Sequence, residues 1–267
     1  MTRLIVLEGA DGAGKTTQAR RLHDHLRRAD YAVHLTREPS DGPIGTLIRR
    51  MLTGEAAMHD LAQDDDGVAL LFAADRRDHV RREVQPAIGR GEIVISDRWY
   101  HSSLVYQGRA SDDRWTWVRQ LNAQVRVPDL TIILDVPPSQ ARARREARGL
   151  PTEAFDTDAI QAEVTHGYRR TARTLLELGE RVELLPLPSD ADVDTVAQHV
   201  AAAADALLAG LPPRQVYVEG RMLSDRPGVT LRGVATLLDN GLYQSLAEID
   251  GKPIQVETTI NFTPRFS

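Results

Sequence analysis

With 267 residues, 42% of them hydrophobic and none a cysteine, the chain can build one large α/β domain, or a domain with a small appendage, and it excludes disulfides, thiolate metal sites and cysteine nucleophiles. A net charge of −5 supplies no global basic field, which argues against nucleic acid as a partner, although arginines cluster locally. No apolar run approaches the roughly 20 residues that span a membrane, and the first residues read as a core strand rather than a secretory leader, so a cytoplasmic protein with no membrane partner is expected.

The first element, near residues 3–8, centres on Leu4-Ile5-Val6-Leu7, the unbroken apolar run of a strand buried on both faces. It leads into Gly9-Ala10-Asp11-Gly12-Ala13-Gly14-Lys15-Thr16-Thr17, a GxxxxGK[ST] phosphate loop, and then a helix from about Thr16 to Arg28 with Ala19, Leu22 and Leu26 on its inner face. In such a loop the glycines let successive backbone N–H groups turn onto an oxyanion. Lys15 reaches the β- and γ-phosphates, and the Thr16 hydroxyl ligates Mg²⁺. Lys15 and Lys252 are the only lysines in a chain that otherwise uses arginine, and a compact ammonium on a flexible stem suits position 15 better than a planar fork. Purine-nucleotide binding is the starting hypothesis. Asp11 is an odd carboxylate to find beside a triphosphate; it either faces an acceptor group such as a sugar hydroxyl or simply shapes the turn.

Further strands are expected near 32–36, 92–96, 130–135 and 181–185. Between them fall a long helix from Val68, Leu71 and Phe72 to the stop at Gly89-Arg90-Gly91, and helices at Ala141–Arg148 and Ala159–Leu178 around the break Gly149-Leu150-Pro151. A last helix carries Val193, Val196, Val200, Ala204 and Leu207, and stops at Gly210 and Pro212-Pro213. Strands alternating with helices imply an α/β fold with a parallel five-stranded sheet flanked by helices. From Arg214 the pattern changes to strand-like alternation, as in Val216-Tyr217-Val218 and Ile254-Gln255-Val256, with Asp250-Gly251 as a hairpin turn. The expected division is residues 1–211 and a β-rich extension, 212–267. The extension is marginal in length for a core of its own, so it packs on the first domain or pairs with another chain.

Three polar clusters bear on what accepts the phosphate. Ser96-Asp97-Arg98 closes the strand Ile93-Val94-Ile95, where an open parallel sheet places its ligands. There Asp97 can hold the Mg²⁺ shell and Arg98 can clamp an acceptor phosphate bidentately; the plainer alternative is an ion pair ending a strand. Phe72 and Arg76 lie one helical turn apart, so a base can stack on the ring while the guanidinium donates to its edge; the alternative is a core Phe72 and a solvated Arg76. Arg142, Arg144, Arg145 and Arg148 can close over a transferring phosphoryl group or can form a solvated helical face.

Taken together, GADGAGKTTQ from Gly9, Thr36-Arg37-Glu38-Pro39, LLFAADR at 70–76, ISDRWYHSSLVYQG at 95–108 and PDLTIILDVPP at 128–138 resemble the thymidylate kinases in order and spacing; the stretch after Pro213 lies outside the resemblance. The resemblance implies a P-loop nucleoside-monophosphate-kinase fold, transfer of the γ-phosphoryl of ATP to dTMP with Mg²⁺, and a homodimer. It assigns Asp11 to the deoxyribose 3′-hydroxyl, Phe72 to stacking on thymine, Arg76 to thymine O4 and Arg98 to the dTMP phosphate. It also assigns Tyr106 to excluding a ribose 2′-hydroxyl, with Glu38, Ser103 and Gln107 in the acceptor pocket. Ala13 stands where some members carry a catalytic arginine, so the lid would supply it as Arg144 or Arg148. Three features depart from the pattern. The lid, residues 149–158, is longer and lacks the usual Asp-Arg pair; Ser40-Asp41-Gly42-Pro43-Ile44-Gly45 replaces a Gly-Gly-Thr; and Trp99 replaces a tyrosine. A kinase of another pyrimidine deoxynucleotide would change only the pocket of Phe72, Arg76, Ser103 and Tyr106. A non-catalytic nucleotide-binding regulator, using the extension as its interaction module, is disfavoured by the intact set Lys15, Thr16, Asp97 and Arg98.

Overall fold

The computed structural model describes residues 3–56, 65–148, 158–188 and 191–209, together with four strands of the C-terminal part. The chain divides into two compact units, Met1–Ala209 and Gly210–Ser267.

In the first unit β1 (Leu4–Gly9), β2 (Val33–Arg37), β3 (Ile93–Asp97), β4 (Leu130–Asp135) and β5 (Val182–Pro186) form one sheet in the order β2-β3-β1-β4-β5. Every pair is parallel, as expected from the alternation of strands and helices. Leu4 to Leu7 and Ile132 to Leu134 are buried throughout, which is why these strands read as unbroken apolar runs. The flanking helices are α1 (Lys15–Arg28), α2 (Pro43–Leu52), α3 (Asp65–His79), α4 (Gln85–Gly89), α5 (Tyr100–Tyr106), α6 (Asp112–Leu121), α7 (Pro138–Arg148), α8 (Asp158–Glu177) and α9 (Val193–Leu208).

The long helix expected from Val68 starts earlier, at Asp65, and a π-helical turn, Val80–Val84, interrupts it between α3 and α4. Helices α2, α5 and α6 are not anticipated by hydrophobic periodicity. In α5 nearly every side chain is buried, so no polar stripe marks its face. Helix α2 opens with Pro43 in its first turn, and α6 with the cap Ser111, whose Oγ accepts from the Arg114 N–H; both are start signals that periodicity overlooks. Trp99, the departure from tyrosine, is fully buried and donates Nε1–H to the Arg126 carbonyl at 3.0 Å.

The pairings Leu7 with Asp97 and Thr36 with Ser96 bring the C-terminal ends of β1, β2 and β3 to one edge, where ligands of open parallel sheets bind. In the second unit β6 (Gln215–Arg221), β7 (Thr230–Leu237), β8 (Tyr243–Ile249) and β9 (Lys252–Thr258) pair consecutively and antiparallel, with a register shift in β7–β8. Ile249 faces Lys252, which leaves Asp250-Gly251 as the connection. That turn, the stops at Gly210 and Pro212-Pro213, and the lid segment from Gly149 lie outside the described residues.

Candidate functional site

The loop between β1 and α1 approaches its neighbours at backbone distance. Gly12 has φ of +92°, and a Cβ there would sit 2.2 Å from the Ala141 carbonyl oxygen, so neither the conformation nor the space admits a side chain. Gly14, at φ +97°, is the N-cap of α1, and no side chain caps this helix, unlike α6 and α9; its first N–H groups are left for an anion. Lys15 Nζ donates to the carbonyls of Gly9 at 2.8 Å and Ala10 at 2.9 Å and lies 3.6 Å from Asp11 Oδ1. Thr16 Oγ1 donates to Asp97 Oδ2 at 2.5 Å, while Asp97 Oδ1 is buried with no hydrogen-bond partner among the described residues. A hydroxyl beside an open carboxylate oxygen suits a hard cation. No group of three or more His, Cys, Asp or Glu side chains that could hold a metal occurs among the described residues, so the cation would complete its shell with phosphate oxygens and water, as Mg²⁺ does.

Two cavities flank this loop. The first, about 250 Å³, is lined by Asp11, Glu38, Phe72, Arg98, Ser103, Tyr106 and Gln107, so seven of the eight expected acceptor residues meet there. Arg98, at φ +75°, pairs with the Asp11 carboxylate through Nη2 and donates Nη1–H to Ser102 Oγ at 2.9 Å; Tyr106 donates its hydroxyl to Asp11 Oδ2 at 2.8 Å. The eighth, Arg76, stands behind the wall. It is 1% exposed, which overturns the solvated alternative, and it donates to Glu38 Oε2 at 2.7 Å, Asn122 Oδ1 at 2.5 Å and Ser103 Oγ at 3.3 Å. Phe72 is half-buried on the cavity wall rather than sealed in the core. The segment with Ser40 is anchored to Asp75, which accepts from the Ser40 N–H and Oγ at 2.8 and 2.6 Å, and Arg49 donates to the carbonyls of Pro39 and Ser40.

The second cavity, about 320 Å³, is bounded by Gly12, Ala13, Gly14 and Thr17 of the loop, by Arg144, and by apolar residues that include Leu187 and Val193. Of the arginine cluster, Arg145 donates to the Asp11 carbonyl at 2.7 Å, and Arg142 pairs with Glu146 on an exposed face. The Arg148 side chain lies outside the described residues.

The sequence profile of the thymidylate kinases matches residues 7–187. A probable thymidylate kinase of Pyrococcus horikoshii is 41% identical over 174 residues, covering 65% of this chain and 84% of the relative. A probable thymidylate kinase of Pyrobaculum aerophilum is 48% identical over 145 residues, covering 54% and 70%. The thymidylate kinase of Dinoroseobacter shibae is 44% identical over 175 residues, covering 64% and 83%. The chain belongs to the thymidylate kinase family. The matched family segment contains the whole first cavity and the loop, and it ends before α9 and the C-terminal unit.

Within this family frame the electrostatics are those of a site built for anions. Burial pushes the Lys15 ammonium down to about 8, helped by Arg98 and opposed by Asp11. Burial works against the Asp11 carboxylate too, but Arg98 and Lys15, with the Tyr106 hydroxyl, hold its pKa well below the carboxylate range. Burial likewise opposes the Arg98 charge, but Asp11 with Tyr106, Tyr168 and Glu8 together outweigh it, raising that pKa. Sequence reasoning missed Arg37, Arg49 and Ser102 on the first cavity, Leu187 and Val193 on the second, and Asn122 behind Arg76. Among the described residues no helix is long and apolar enough to cross a membrane.

Proposed function

We propose that this chain transfers the γ-phosphoryl group of ATP to dTMP by direct in-line displacement, with Mg²⁺, as a cytoplasmic homodimer. The observation that carries this reading is the pair of cavities on either side of one phosphate loop, with Arg98 and Asp11 in the acceptor cavity and Arg144 beside the donor cavity. The triphosphate lies on the loop N–H groups and Lys15, and its base enters the side bounded by Leu187 and Val193. Thr16 and Asp97 would hold Mg²⁺, which would supply neutralisation of the charge on the triphosphate. The acceptor phosphate displaces the Asp11 carboxylate from Arg98, which leaves Asp11 and Tyr106 for the sugar; Phe72 stacks on the base, with Arg76, Glu38, Ser103 and Gln107 completing its pocket. An arginine of α7, Arg144 or Arg148, faces the transferring group from the lid side. A coupled assay of ADP release across the nucleoside monophosphates tests the reading: dTMP is expected to stimulate release most. If no monophosphate raised ADP release above background, the reading would fail.

Lys15 gives this proposal a pH signature. Bound polyphosphate stabilises the ammonium, so its pKa in the complex lies above the value of about 8 in the free protein. Above pH 8 free Lys15 loses its proton and ATP binding must take one up, so affinity falls as pH rises, by up to roughly tenfold per unit. Calorimetry at pH 9 in buffers of different ionisation enthalpy is expected to show uptake approaching one proton in wild type and none in Lys15→Ala. Zero uptake in wild type would contradict a Lys15 lowered by burial and recharged by phosphate contact.

The proposal assigns catalysis to residues 1–211 and assembly to 212–267, with the terminal strands β6 and β9 of the four-stranded sheet as pairing edges. Truncation after Leu211 is expected to keep dTMP phosphorylation within about twofold, on the premise that residues 1–211 form a complete fold, and to change the assembly seen by light scattering. Unchanged assembly with lost activity would make the extension part of the catalytic unit.

A further inference from the structure

Glu8, the penultimate residue of β1, is 0% exposed, and the phosphoryl transfer proposed above does not use its carboxylate. Four donors converge on it. Its Oε1 accepts from the backbone N–H groups of Trp99 at 2.8 Å and Ser102 at 3.1 Å, and its Oε2 from Ser102 Oγ at 2.7 Å and the Tyr168 hydroxyl at 2.8 Å. Trp99 is the N-cap of α5 and has no side-chain cap bond of its own, so Glu8 caps this helix from another element, and its negative charge suits the helix N-terminus.

The residue just before this cap is Arg98. Its positive φ is enforced from both sides: its N–H donates to the Leu7 carbonyl at 2.9 Å, its own carbonyl accepts from Ser96 Oγ at 2.7 Å, and the next N–H is held by Glu8. The Arg98 side chain joins the same cluster. Nη1 donates to Ser102 Oγ at 2.9 Å, and the Tyr168 oxygen lies 3.5 Å from Nη1 and 3.0 Å from Ser102 Oγ. Tyr168 is buried on α8. A carboxylate with four donors, in a dry interior, holds its partners in one geometry, and both the backbone and the guanidinium of Arg98 hang from those partners.

We propose that Glu8 is a positioning residue for Arg98, with Ser102 and Tyr168 as the relay through which α8 sets the angle of the guanidinium toward the acceptor phosphate. This rests on the reading of Arg98 as the acceptor-phosphate clamp. Tyr168→Phe removes only the hydroxyl. It is expected to raise KM for dTMP about tenfold, the scale of one hydrogen bond to a charged group, with KM for ATP unchanged and the Tm lowered by only the several degrees that one buried hydrogen bond costs. Ser102→Ala is expected to do the same, and the double variant to fall short of the product of the two, because both act through one guanidinium. Glu8→Gln, which turns an amide N–H toward donors, is expected to exceed either single change. The relay is overturned if wild type phosphorylates dTMP while Tyr168→Phe and Ser102→Ala leave KM for dTMP unchanged or raise both KM values equally. Absence of phosphorylation in wild type overturns the functional reading instead, and the relay with it.

Discussion

Lys15→Ala and Arg98→Ala are each expected to lower kcat/KM for dTMP phosphorylation by about 10³, the scale of removing a preorganised charge from a phosphoryl-transfer site. Both groups oppose negative charge that spreads over the transferring oxygens; Lys15 is buried and Arg98 lies on the wall of the first cavity. The fold is expected to survive. Lys15 donates to the loop carbonyls of Gly9 and Ala10 and pairs with Asp11 of the same loop, and loss of Arg98 leaves Asp11 still partnered by Tyr106 and Lys15. Arg98→Lys is expected to recover little, because a point charge cannot reproduce a two-pronged clamp. Steady-state kinetics with circular dichroism on each variant checks this; a loss below tenfold in both would remove them from the charge clamp.

Discrimination between bases is expected to be of similar size. Arg76 is fixed by Glu38 and Asn122, and its Nη2 donates to Ser103 Oγ on the cavity wall, so the Ser103 oxygen is already engaged as an acceptor and its hydroxyl hydrogen is turned as a donor to an incoming base edge. The O4 of thymine or uracil accepts from it. The 4-amino group of cytosine sets donor against donor and leaves buried groups unpaired, a mismatch worth about 10⁴ in kcat/KM. A missing methyl costs far less, on the order of 10- to 100-fold. The expected order is dTMP above dUMP, and both far above dCMP. Turnover of dCMP comparable to dTMP would remove Arg76 and Ser103 from base recognition.

The parts of this site that were legible in the sequence are those whose signal is local. A phosphate loop is one contiguous segment between an apolar strand and a helix, and the strand that ends in Asp97 and Arg98 carries its own apolar run. What stayed hidden depends on partners far along the chain. Taken alone, Arg76 on a helix reads as a solvated charge; only the fold brings Glu38, Ser103 and Asn122 around it. Glu8 carries no motif, and its partners Trp99 and Tyr168 are 91 and 160 residues away, yet a carboxylate inside the run Leu4 to Gly9 is itself a sign of a buried polar network. For the arginine cluster of α7 the family resemblance singles out Arg144 or Arg148. The fold holds Arg145 on the loop, sets Arg144 on the second cavity and leaves Arg142 in a surface pair.

Phosphoryl transfer between two bound nucleotides is observed directly by ³¹P NMR of the purified chain with ATP, dTMP and Mg²⁺. dTDP and ADP are expected to grow in one-to-one ratio with no accumulation of inorganic phosphate. Hydrolysis of ATP to ADP and phosphate without dTDP, or no change in either nucleotide, would contradict the transfer.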